Sequence, residues 1–131
     1  MASRIRAIGA YRPRIELGKT IQKAEQVRRM ARASNLNEGG IDMVIKEVRD
    51  HIITENLAGR PVKIEGLGTW TPNIGLDGSF DVQYRADTCL ANGLNMPGAF
   101  TGDIKFRENV GKTPDELVAL WNKDHPDDLV V

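Results

Sequence analysis

The sequence predicts a single α+β domain: two helices, then a small antiparallel sheet, then a short closing helix. Three observations predict it. Apolar residues recur every three or four positions between residues 20 and 57, which is the period of a helix face. From residue 62 onward, apolar and polar residues alternate as in half-buried strands. Near the end, Thr113-Pro114-Asp115-Glu116 combines a capping box with proline at the first helical position. A length of 131 residues also favours one domain.

The composition narrows the class of protein. Cys89 is the single cysteine, which excludes a disulfide framework and a multi-cysteine metal site and indicates a reducing compartment. No apolar run approaches the roughly 18 residues of a membrane span, and no apolar core follows the N-terminal arginines as it would in a secretory signal. We therefore expect a cytoplasmic protein without a membrane partner.

The charges are unevenly distributed along the chain. Its 18 basic and 18 acidic residues cancel, yet residues 1–35 hold nine of the basic groups and only two of the acids. The remaining residues hold nine basic and sixteen acidic groups. An asymmetry of this size indicates either a polyanionic partner or a charge match between chains.

Residues 1–19 carry four arginines: Arg4, Arg6, Arg12 and Arg14. Gly9 and Pro13 disfavour a helix. The prediction is an extended basic arm with a short edge strand, and the alternative is a solvated, partly disordered tail.

Two helices are predicted next. The first covers residues 20–34, with Thr20 as its N-cap and a basic opposite face. The second covers residues 38–57 and ends at Gly59, a natural C′ residue. Because only a few residues join them, they should lie side by side. Their apolar stripes are Ile21, Ala24, Val27, Met30 and Ala31 in the first and Ile41, Val44, Ile45, Val48 and Ile52 in the second.

The sheet begins after Gly59. Val62 and Ile64 define its first strand, and Gly66 and Gly68 predict a reversal. Pro72 indicates that the next strand is an edge or ends early. Asp77-Gly78 predicts a tight hairpin, and a clear strand follows it. Residues 86–101 give no definite element, and Ile104 and Phe106 indicate a late strand. The final segment Leu129-Val130-Val131 is predicted to be loose or docked on a neighbour.

Catalysis has little support in the sequence. His51 lies at the border of a helical stripe, and His125 lies in an acidic tail with too few ligands for a metal. Cys89 has no histidine near it in the sequence to activate a thiolate. Gly66 and Gly68 do not open a helix and so do not form a phosphate-binding loop. We expect no enzyme, no metal, no cofactor and no small-molecule substrate.

Residues 20–72 resemble the HU/IHF family of bacterial histone-like DNA-bending proteins. That family has two helices, a leucine and a glycine, a strand and a G-[FL]-G-T-[FW] turn. The matching residues here are Leu57, Gly59, Val62, Ile64, Gly66, Gly68, Thr69 and Trp70. The resemblance resumes weakly at Ile104-Lys105-Phe106 and at the closing helix, residues 114–123. It places an HU/IHF-like domain at residues 20–123, between the basic arm 1–19 and the acidic and apolar tail 124–131.

The resemblance implies an α+β fold with an N-terminal two-helix hairpin, a small sheet with an arm-like β-hairpin and a short C-terminal helix. It also implies an intertwined homodimer whose arms reach around duplex DNA, with a proline near each tip. Here the segment from Phe80 to Arg107 is not basic overall and lacks the family's Arg-Asn-Pro tip. Met96 and Pro97 either form a substitute tip or lie in an ordinary proline turn.

The resulting hypothesis is a nucleoid-associated homodimer that contacts double-stranded DNA mainly through phosphates, with low sequence preference. The candidate DNA-binding residues are Arg4, Arg6, Arg12, Arg14, Arg85, Met96, Pro97, Lys105, Arg107 and Lys112. A second hypothesis is a structural protein that self-assembles through its basic N-terminal and acidic C-terminal surfaces. A third, a helix-turn-helix over residues 20–58, is disfavoured because Gly39, Gly40 and Ile41 offer few base-reading groups.

Overall fold

The computed structural model describes all 131 residues and separates into two compact units. Unit 1 is Met1–Lys19 together with Thr101–Val131, and unit 2 is Thr20–Phe100. In chain order the elements are α1 (Arg4–Tyr11), β1 (Arg14–Glu16), α2 (Lys23–Ser34), α3 (Glu38–Leu57), β2 (Val62–Ile64), β3 (Gly68–Ile74), β4 (Phe80–Ala86), α4 (Thr88–Leu94), β5 (Asp103–Lys105), a 3-10 turn (Arg107–Asn109) and α5 (Pro114–Asp124). The α+β class is confirmed. No helix is both long enough and apolar enough to cross a membrane.

Unit 1 joins the two ends of the chain. β1 pairs with β5 in an antiparallel ribbon, with Arg14 opposite Lys105 and Glu16 opposite Asp103, and α1 packs against α5. The closing helix, predicted from its capping box, is confirmed. The late strand predicted from Ile104 and Phe106 is confirmed at Asp103–Lys105, whereas Phe106 has left-handed backbone angles and lies outside it. The sequence placed residues 101–123 with the helices that precede them, whereas these contacts place them with residues 1–19.

The prediction of an extended arm is wrong for residues 4–11, which form α1. The Ser3 hydroxyl accepts a hydrogen bond from the Arg6 amide at 3.1 Å and caps the helix. Gly9 is tolerated inside it at a cost of about 1 kcal/mol, because Ala7 is completely buried in unit 1 and anchors α1 there. Pro13 lies beyond the helix end, and the short strand expected nearby is β1.

The core of unit 1 is small and closed. Leu117 and Trp121 of α5 are buried with Ala7. The Tyr11 ring meets Trp121 edge-on at 6.5 Å. The tail docks on its own helix: the Trp121 indole donates to the Asp128 carbonyl at 2.7 Å, and the Val130 amide donates to the Asn122 side chain at 2.7 Å.

Unit 2 begins with the predicted helical hairpin. α2 starts at Lys23 rather than at Thr20, and its N-cap, Gln22, makes no side-chain cap bond; the prediction of Thr20 as N-cap is therefore wrong. α3 has the predicted bounds. It is capped by Asn37, which accepts from the Gly40 amide at 2.6 Å. Gly59 follows α3 with φ +77°, as expected of a C′ glycine.

The sheet of unit 2 has the order β2-β3-β4 and is antiparallel throughout. The predicted reversal is confirmed at Gly66, which has φ +86°. β3 continues past Pro72 to Ile74, so it does not end early. It tolerates the proline because β2 pairs only with Gly68–Trp70, which leaves the strand at Pro72 without a neighbour on that side.

Residues 86–101, for which the sequence predicted no element, contain α4. The Asp87 carboxylate caps it by accepting from the Cys89 amide at 2.9 Å, and it also accepts from the Gly66 amide at 3.3 Å. These two bonds hold the pKa of Asp87 below its usual range, the Cys89 bond contributing most. One carboxylate thus ties α4 to the glycine turn, a link that the spacing of the residues does not reveal.

Candidate nucleic-acid interface

The predicted DNA-binding residues fall in both units. Unit 2 holds Arg85, Met96 and Pro97, whereas unit 1 holds Arg4, Arg6, Arg12, Arg14, Lys105, Arg107 and Lys112. Unit 1 therefore contains seven of the ten. The basic groups of the N-terminal segment and of the late strand, far apart in sequence, belong to the same compact unit.

Four of these residues surround one end of the β1–β5 ribbon. Arg14 begins β1 and Lys105 ends β5, and the antiparallel register places them directly opposite each other. Arg12 lies two residues before Arg14, and Arg107 lies two residues after Lys105. All four side chains are exposed and none forms an ion pair. We call Arg12, Arg14, Lys105 and Arg107 the basic patch.

The aromatic ring of Phe106 lies next to two cations of this patch. The Arg14 guanidinium lies 5.7 Å and the Lys105 ammonium 5.4 Å from the centroid of Phe106. Phe106 has φ +59° and its ring lies 5.8 Å from that of Tyr11. Like charges directly opposite in a ribbon repel, and contact with an aromatic ring offsets only part of that repulsion. A bound anion would offset the rest.

The opposite end of the ribbon is acidic, because Glu16 lies opposite Asp103 in the strand register. The ribbon therefore separates its charges along its length instead of alternating them. An extended polyanion could approach favourably at the basic patch alone. This polarity confines the candidate interface in unit 1 to one end of the ribbon.

The other basic candidates in unit 1 contact parts of its own fold. Arg4 forms an ion pair with Asp115 at 2.5 Å. The Arg6 guanidinium lies 5.5 Å from the Trp121 ring, and the Lys112 ammonium donates to the Asn109 side chain at 2.9 Å. None of the three belongs to the β1–β5 ribbon or lies within two residues of its strands, so we place them outside the basic patch.

The candidates in unit 2 are dispersed. Arg85 is an exposed residue of β4 without an ion pair. Met96 and Pro97 lie in a turn after α4, where the Met96 carbonyl accepts from the Ala99 amide at 3.0 Å. That turn does not join two strands, so of the two alternatives the structure has the ordinary proline turn and not the substitute hairpin tip.

The hairpin that does exist joins β3 to β4 through residues 75–79 and carries no basic side chain. Asp77 accepts from the Ser79 hydroxyl at 2.7 Å and from the Ser79 amide at 3.0 Å. The hydroxyl bond contributes most to holding the pKa of Asp77 below its usual range. The tip is therefore short and anionic, unlike the long basic arm that the resemblance implies.

Sequence reasoning missed the groups that hold unit 1 together. Asn109 is buried and donates to the Tyr11 carbonyl at 2.7 Å. The Tyr11 hydroxyl donates to Asp124 at 2.6 Å, a bond that raises the pKa of Tyr11. These partners are about one hundred residues apart in the chain, so no local pattern could have identified them.

A second surface, in unit 2, is apolar. Val62 is buried, but Ile74, Phe80, Val82 and Tyr84 on the same side of the sheet are at least half exposed, with Phe80 at 80%. We call Ile74, Phe80, Val82 and Tyr84 the apolar sheet face. A groove of about 240 Å³ adjoins it, lined by Ile53 and Leu57 of α3 and by Pro72. Exposed apolar surface of this kind is typical of interaction sites.

The titratable residues considered for catalysis are not brought together. His51 is exposed on α3, and His125 stacks on Trp121 with ring centroids 3.8 Å apart. Cys89 is exposed beside the glycine turn. No group of three or more histidine, cysteine, aspartate or glutamate side chains is placed to hold a metal ion.

Comparison with known proteins gives no match: no protein-family model, curated protein or solved structure resembles this chain significantly.

Proposed function

We propose that this protein is an HU/IHF-like homodimer that binds double-stranded DNA mainly through phosphates, with low sequence preference. The observation that carries this proposal is the basic patch. Four exposed cations without acidic partners lie at one end of the β1–β5 ribbon. Arginine and lysine in such a position neutralise phosphates and release counterions from DNA.

The chemistry of the patch favours phosphate over base recognition. Arg12, Arg14, Lys105 and Arg107 sit on a short ribbon and its flanking turns, and none extends from a long helix that could enter the major groove. Contacts to phosphates position a protein on DNA but carry no direct sequence information. We therefore expect similar affinities for duplexes of different sequence.

The proposal of a homodimer rests on unit 2. Its two-helix hairpin followed by three antiparallel strands has the order that the resemblance implies, whereas the closing helix of the resemblance, residues 114–123, lies in unit 1. The apolar sheet face and the adjoining groove leave large apolar side chains exposed. A second copy would bury both in a symmetric contact, which is the commonest way in which soluble proteins associate. Cytoplasmic, nucleoid-associated localisation follows if DNA is the partner.

A salt-dependent titration tests the DNA contact. We expect the full chain to bind a fluorescent duplex, with the logarithm of the affinity falling by about 0.9 per phosphate contact for each tenfold rise in salt. Arg14→Gln with Lys105→Gln should lower that slope by about 2 and weaken binding to all sequences equally.

The matched control is Arg49→Gln with Arg60→Gln, which removes the same charge from unit 2, where both arginines are ion-paired. It should leave the slope near that of the unmodified chain. Binding without any salt dependence, or no binding at low salt, would show that the proposal is wrong.

The alternative is a structural protein that self-assembles without DNA. Within unit 1, however, the pairing of basic and acidic surfaces already occurs inside one chain: Arg4 pairs with Asp115, and the N-terminal ammonium lies 3.6 Å from Asp128. Those charges are thereby occupied, which favours the DNA-binding proposal. Light scattering separates the two, because assemblies larger than a dimer in the absence of DNA would support the structural role.

A further inference from the structure

We infer that two copies of this chain join edge to edge through β4, so that their three-stranded sheets become one continuous antiparallel sheet. This inference rests on the homodimer of the proposed function and does not depend on DNA binding. It names the interaction surface, which is the free edge of β4, and its partner, which is the same edge of a second copy. The observations that carry it are the exposure of this edge, the direction of its backbone groups and the order of its charges.

β4 is a long edge strand without the features that usually protect an edge. It pairs with β3 on one side only, and all seven of its residues are exposed. It contains no lysine and no proline, and its register with β3 has no bulge. β2, at the other edge of the same sheet, is three residues long and carries Lys63. Short edges and edge lysines discourage pairing with another chain, whereas a long unprotected edge is a template for it.

The backbone hydrogen bonds beside β4 show which of its residues face the free edge. Just before the strand, the Ser79 carbonyl accepts from the Gly75 amide at 2.8 Å. Just after it, the Asp87 amide donates to the Leu67 carbonyl at 3.1 Å. Residues that bond across to the neighbour alternate along an antiparallel strand, so the odd-numbered residues of β4 bond to β3. The residues whose N–H and C=O groups face the free edge are Phe80, Val82, Tyr84 and Ala86.

Two charged side chains of β4 have no partner within their own sheet. Asp81 and Arg85 lie on the polar side of the strand, and neither forms an ion pair. The residues opposite them on β3 are Asn73 and Thr69, which are uncharged. Along the strand the two lie about 13 Å apart, too far to pair with each other. Opposite charges are therefore available for a contact outside this sheet.

One register of β4 against a second β4 brings these charges together. A two-fold axis at Gln83 pairs residue 80 with residue 86 of the other copy, so the strands overlap along their whole length. It places Asp81 opposite the partner's Arg85. The residues whose backbone groups face the edge then exchange both of their hydrogen bonds. Asp81 and Arg85 fall in the intervening pairs, in which opposite side chains approach each other most closely.

Neighbouring registers lack this match. A shift by one residue sets edge-facing backbone groups against groups that already bond to β3, and it joins the apolar side of one sheet to the polar side of the other. A shift by two residues in one direction opposes Asp81 to the partner's Asp87, and like charges directly opposite repel. The same shift in the other direction opposes Asp81 to the partner's Gln83, without an ion pair. β4 is thus complementary to itself in one register.

The contact is symmetric and closes after two copies. Each β4 edge is used once, and the joined sheet ends on both sides at β2, the short strand that carries Lys63. Val82 lies opposite the partner's Tyr84 across the join, so these apolar side chains cover each other. An isologous contact of this kind gives a dimer and not a fibre.

Charge reversal tests the inference on the full chain. Asp81→Arg and Arg85→Asp each set like charges opposite each other on both sides of the two-fold axis. Each should raise the dissociation constant of the dimer roughly tenfold or more, as measured by sedimentation. Asp81→Arg combined with Arg85→Asp restores both ion pairs and should dimerise as the unmodified chain does. The matched control is Lys63→Glu, which reverses a charge on the other edge strand and should leave the dimer unchanged.

Mixing the two single variants gives a sharper result. The edge of the Asp81→Arg chain carries two cations, and the edge of the Arg85→Asp chain carries two anions. Equimolar mixing should therefore produce a heterodimer that native mass spectrometry distinguishes by mass, at concentrations where neither variant dimerises alone. A heterodimer also shows that both variants are folded. Single variants that still dimerise like the unmodified chain, or a combined variant that does not dimerise, would overturn the inference.

A proline tests the backbone part of the contact. Val82 lies opposite Pro72, and its N–H faces the free edge and not β3. Val82→Pro should therefore preserve the pairing of β3 with β4, remove one edge donor and give a monomer. Val82→Thr keeps the N–H and the branched side chain and should remain a dimer. A dimer of undiminished stability in Val82→Pro would contradict pairing at this edge.

The outcomes separate this inference from the proposed function. If the unmodified chain is a dimer that none of these changes weakens, the edge contact is wrong and the homodimer stands. If the unmodified chain is a monomer at every concentration, the edge contact and the homodimer are both wrong. The salt-dependent titration of the basic patch reports on DNA binding in either case.

Discussion

Unit 1 and unit 2 differ in how completely each buries its apolar residues. Unit 1 is built from short elements, yet Ala7, Leu117 and Trp121 are all buried and its tail is hydrogen-bonded to α5. Unit 2 has the longest helix and the larger sheet, yet it leaves residues such as Phe80 and Val82 exposed. The comparison teaches that size does not decide which part of a chain is self-sufficient. The larger unit is the one that leaves more of its large apolar side chains exposed.

The surfaces that remain exposed differ in kind as well. Unit 1 exposes the four unpaired cations of the basic patch, whereas unit 2 exposes the apolar sheet face and pairs several of its charges, as in the Lys23–Asp42–Lys46 cluster of α2 and α3. Apolar surface favours another protein surface, and unpaired cations favour a polyanion. The following predictions test how independent the two units are.

The largest expected effect concerns the core of unit 1. Trp121→Ala should destabilise unit 1 by about 3–5 kcal/mol, because it removes a buried indole and leaves a cavity, and DNA binding should weaken as β1 and β5 separate. Trp70 in unit 2 is then the only remaining tryptophan. The fluorescence of Trp70 in Trp121→Ala should give a urea midpoint for the unfolding of unit 2 that is close to the midpoint in Trp121→Phe.

The two units are not independent if both unfold together in Trp121→Ala. Trp70 fluorescence would then report unfolding of unit 2 at a much lower urea concentration than in Trp121→Phe. The conservative variant serves as the control because it retains an aromatic ring and leaves Trp70 as the only reporter.

The second prediction disturbs unit 2 alone. A Cβ atom at Gly68 would lie 2.4 Å from the Arg85 carbonyl oxygen and 2.6 Å from the Tyr84 ring, at φ +151°. Gly68→Ala should therefore cost unit 2 roughly 1–3 kcal/mol, lower its thermal midpoint and leave the unit 1 amide signals unshifted in NMR spectra.

Gly93→Ala in α4 is its matched control, since a Cβ there has nothing within 4 Å, and it should be neutral or slightly stabilising. Widespread shifts in unit 1 with Gly68→Ala would show that the sheet and the ribbon are coupled.

The smallest effect is a contrast in pH dependence. In unit 2 the Cys89 and Gly66 amides lower the pKa of Asp87, and Lys23 followed by Lys46 lowers that of Asp42. Their stabilisation is present above the unfolded pKa of about 3.9 and is lost as the pH falls through the lower folded values. Acid should therefore destabilise unit 2, as followed by Trp70 fluorescence in Trp121→Phe. Asp87→Asn, which keeps an acceptor oxygen, should reduce the effect.

In unit 1 the sign is reversed. The hydrogen bond to Asp124 raises the pKa of Tyr11, so its stabilisation is present below the unfolded pKa of about 10 and is lost as the pH rises through the higher folded value. Alkali should loosen unit 1, as followed by Trp121 fluorescence in Trp70→Phe. A Tyr11→Phe chain lacks that ionisation, and equal alkaline sensitivity in this control would show that Tyr11 is not its source.

The same comparison explains what the sequence predicted and what it did not. Most of unit 2 follows from local patterns: the bounds of α3, the glycine turn and the strand after Asp77-Gly78 all depend on neighbouring residues. Unit 1 depends on pairs such as Arg14 with Lys105 and Tyr11 with Asn109, which no local period encodes. The sequence did not predict α1, because Gly9 and Pro13 disfavour a helix. Tertiary packing of its apolar residues stabilises the helix nevertheless.

The candidate site divides in the same way. The four residues of the basic patch were predicted as DNA-binding residues from their charge. The sequence did not predict that they would lie together at one end of the β1–β5 ribbon. The sequence could not decide between a hairpin tip and an ordinary turn at Met96 and Pro97, because it offered no signal for α4, which follows the sheet before these residues.

The pairing of β1 with β5 has a consequence for synthesis. Arg14 leaves the ribosome early, but it meets Lys105 only after all of unit 2 has been made. At typical elongation rates of about 5–20 residues per second, several seconds separate the two strands, and unit 2 has time to fold first. A nascent chain released before β5 would carry the apolar sheet face without the basic patch. If the basic patch binds DNA as proposed, only the finished polypeptide would have that site.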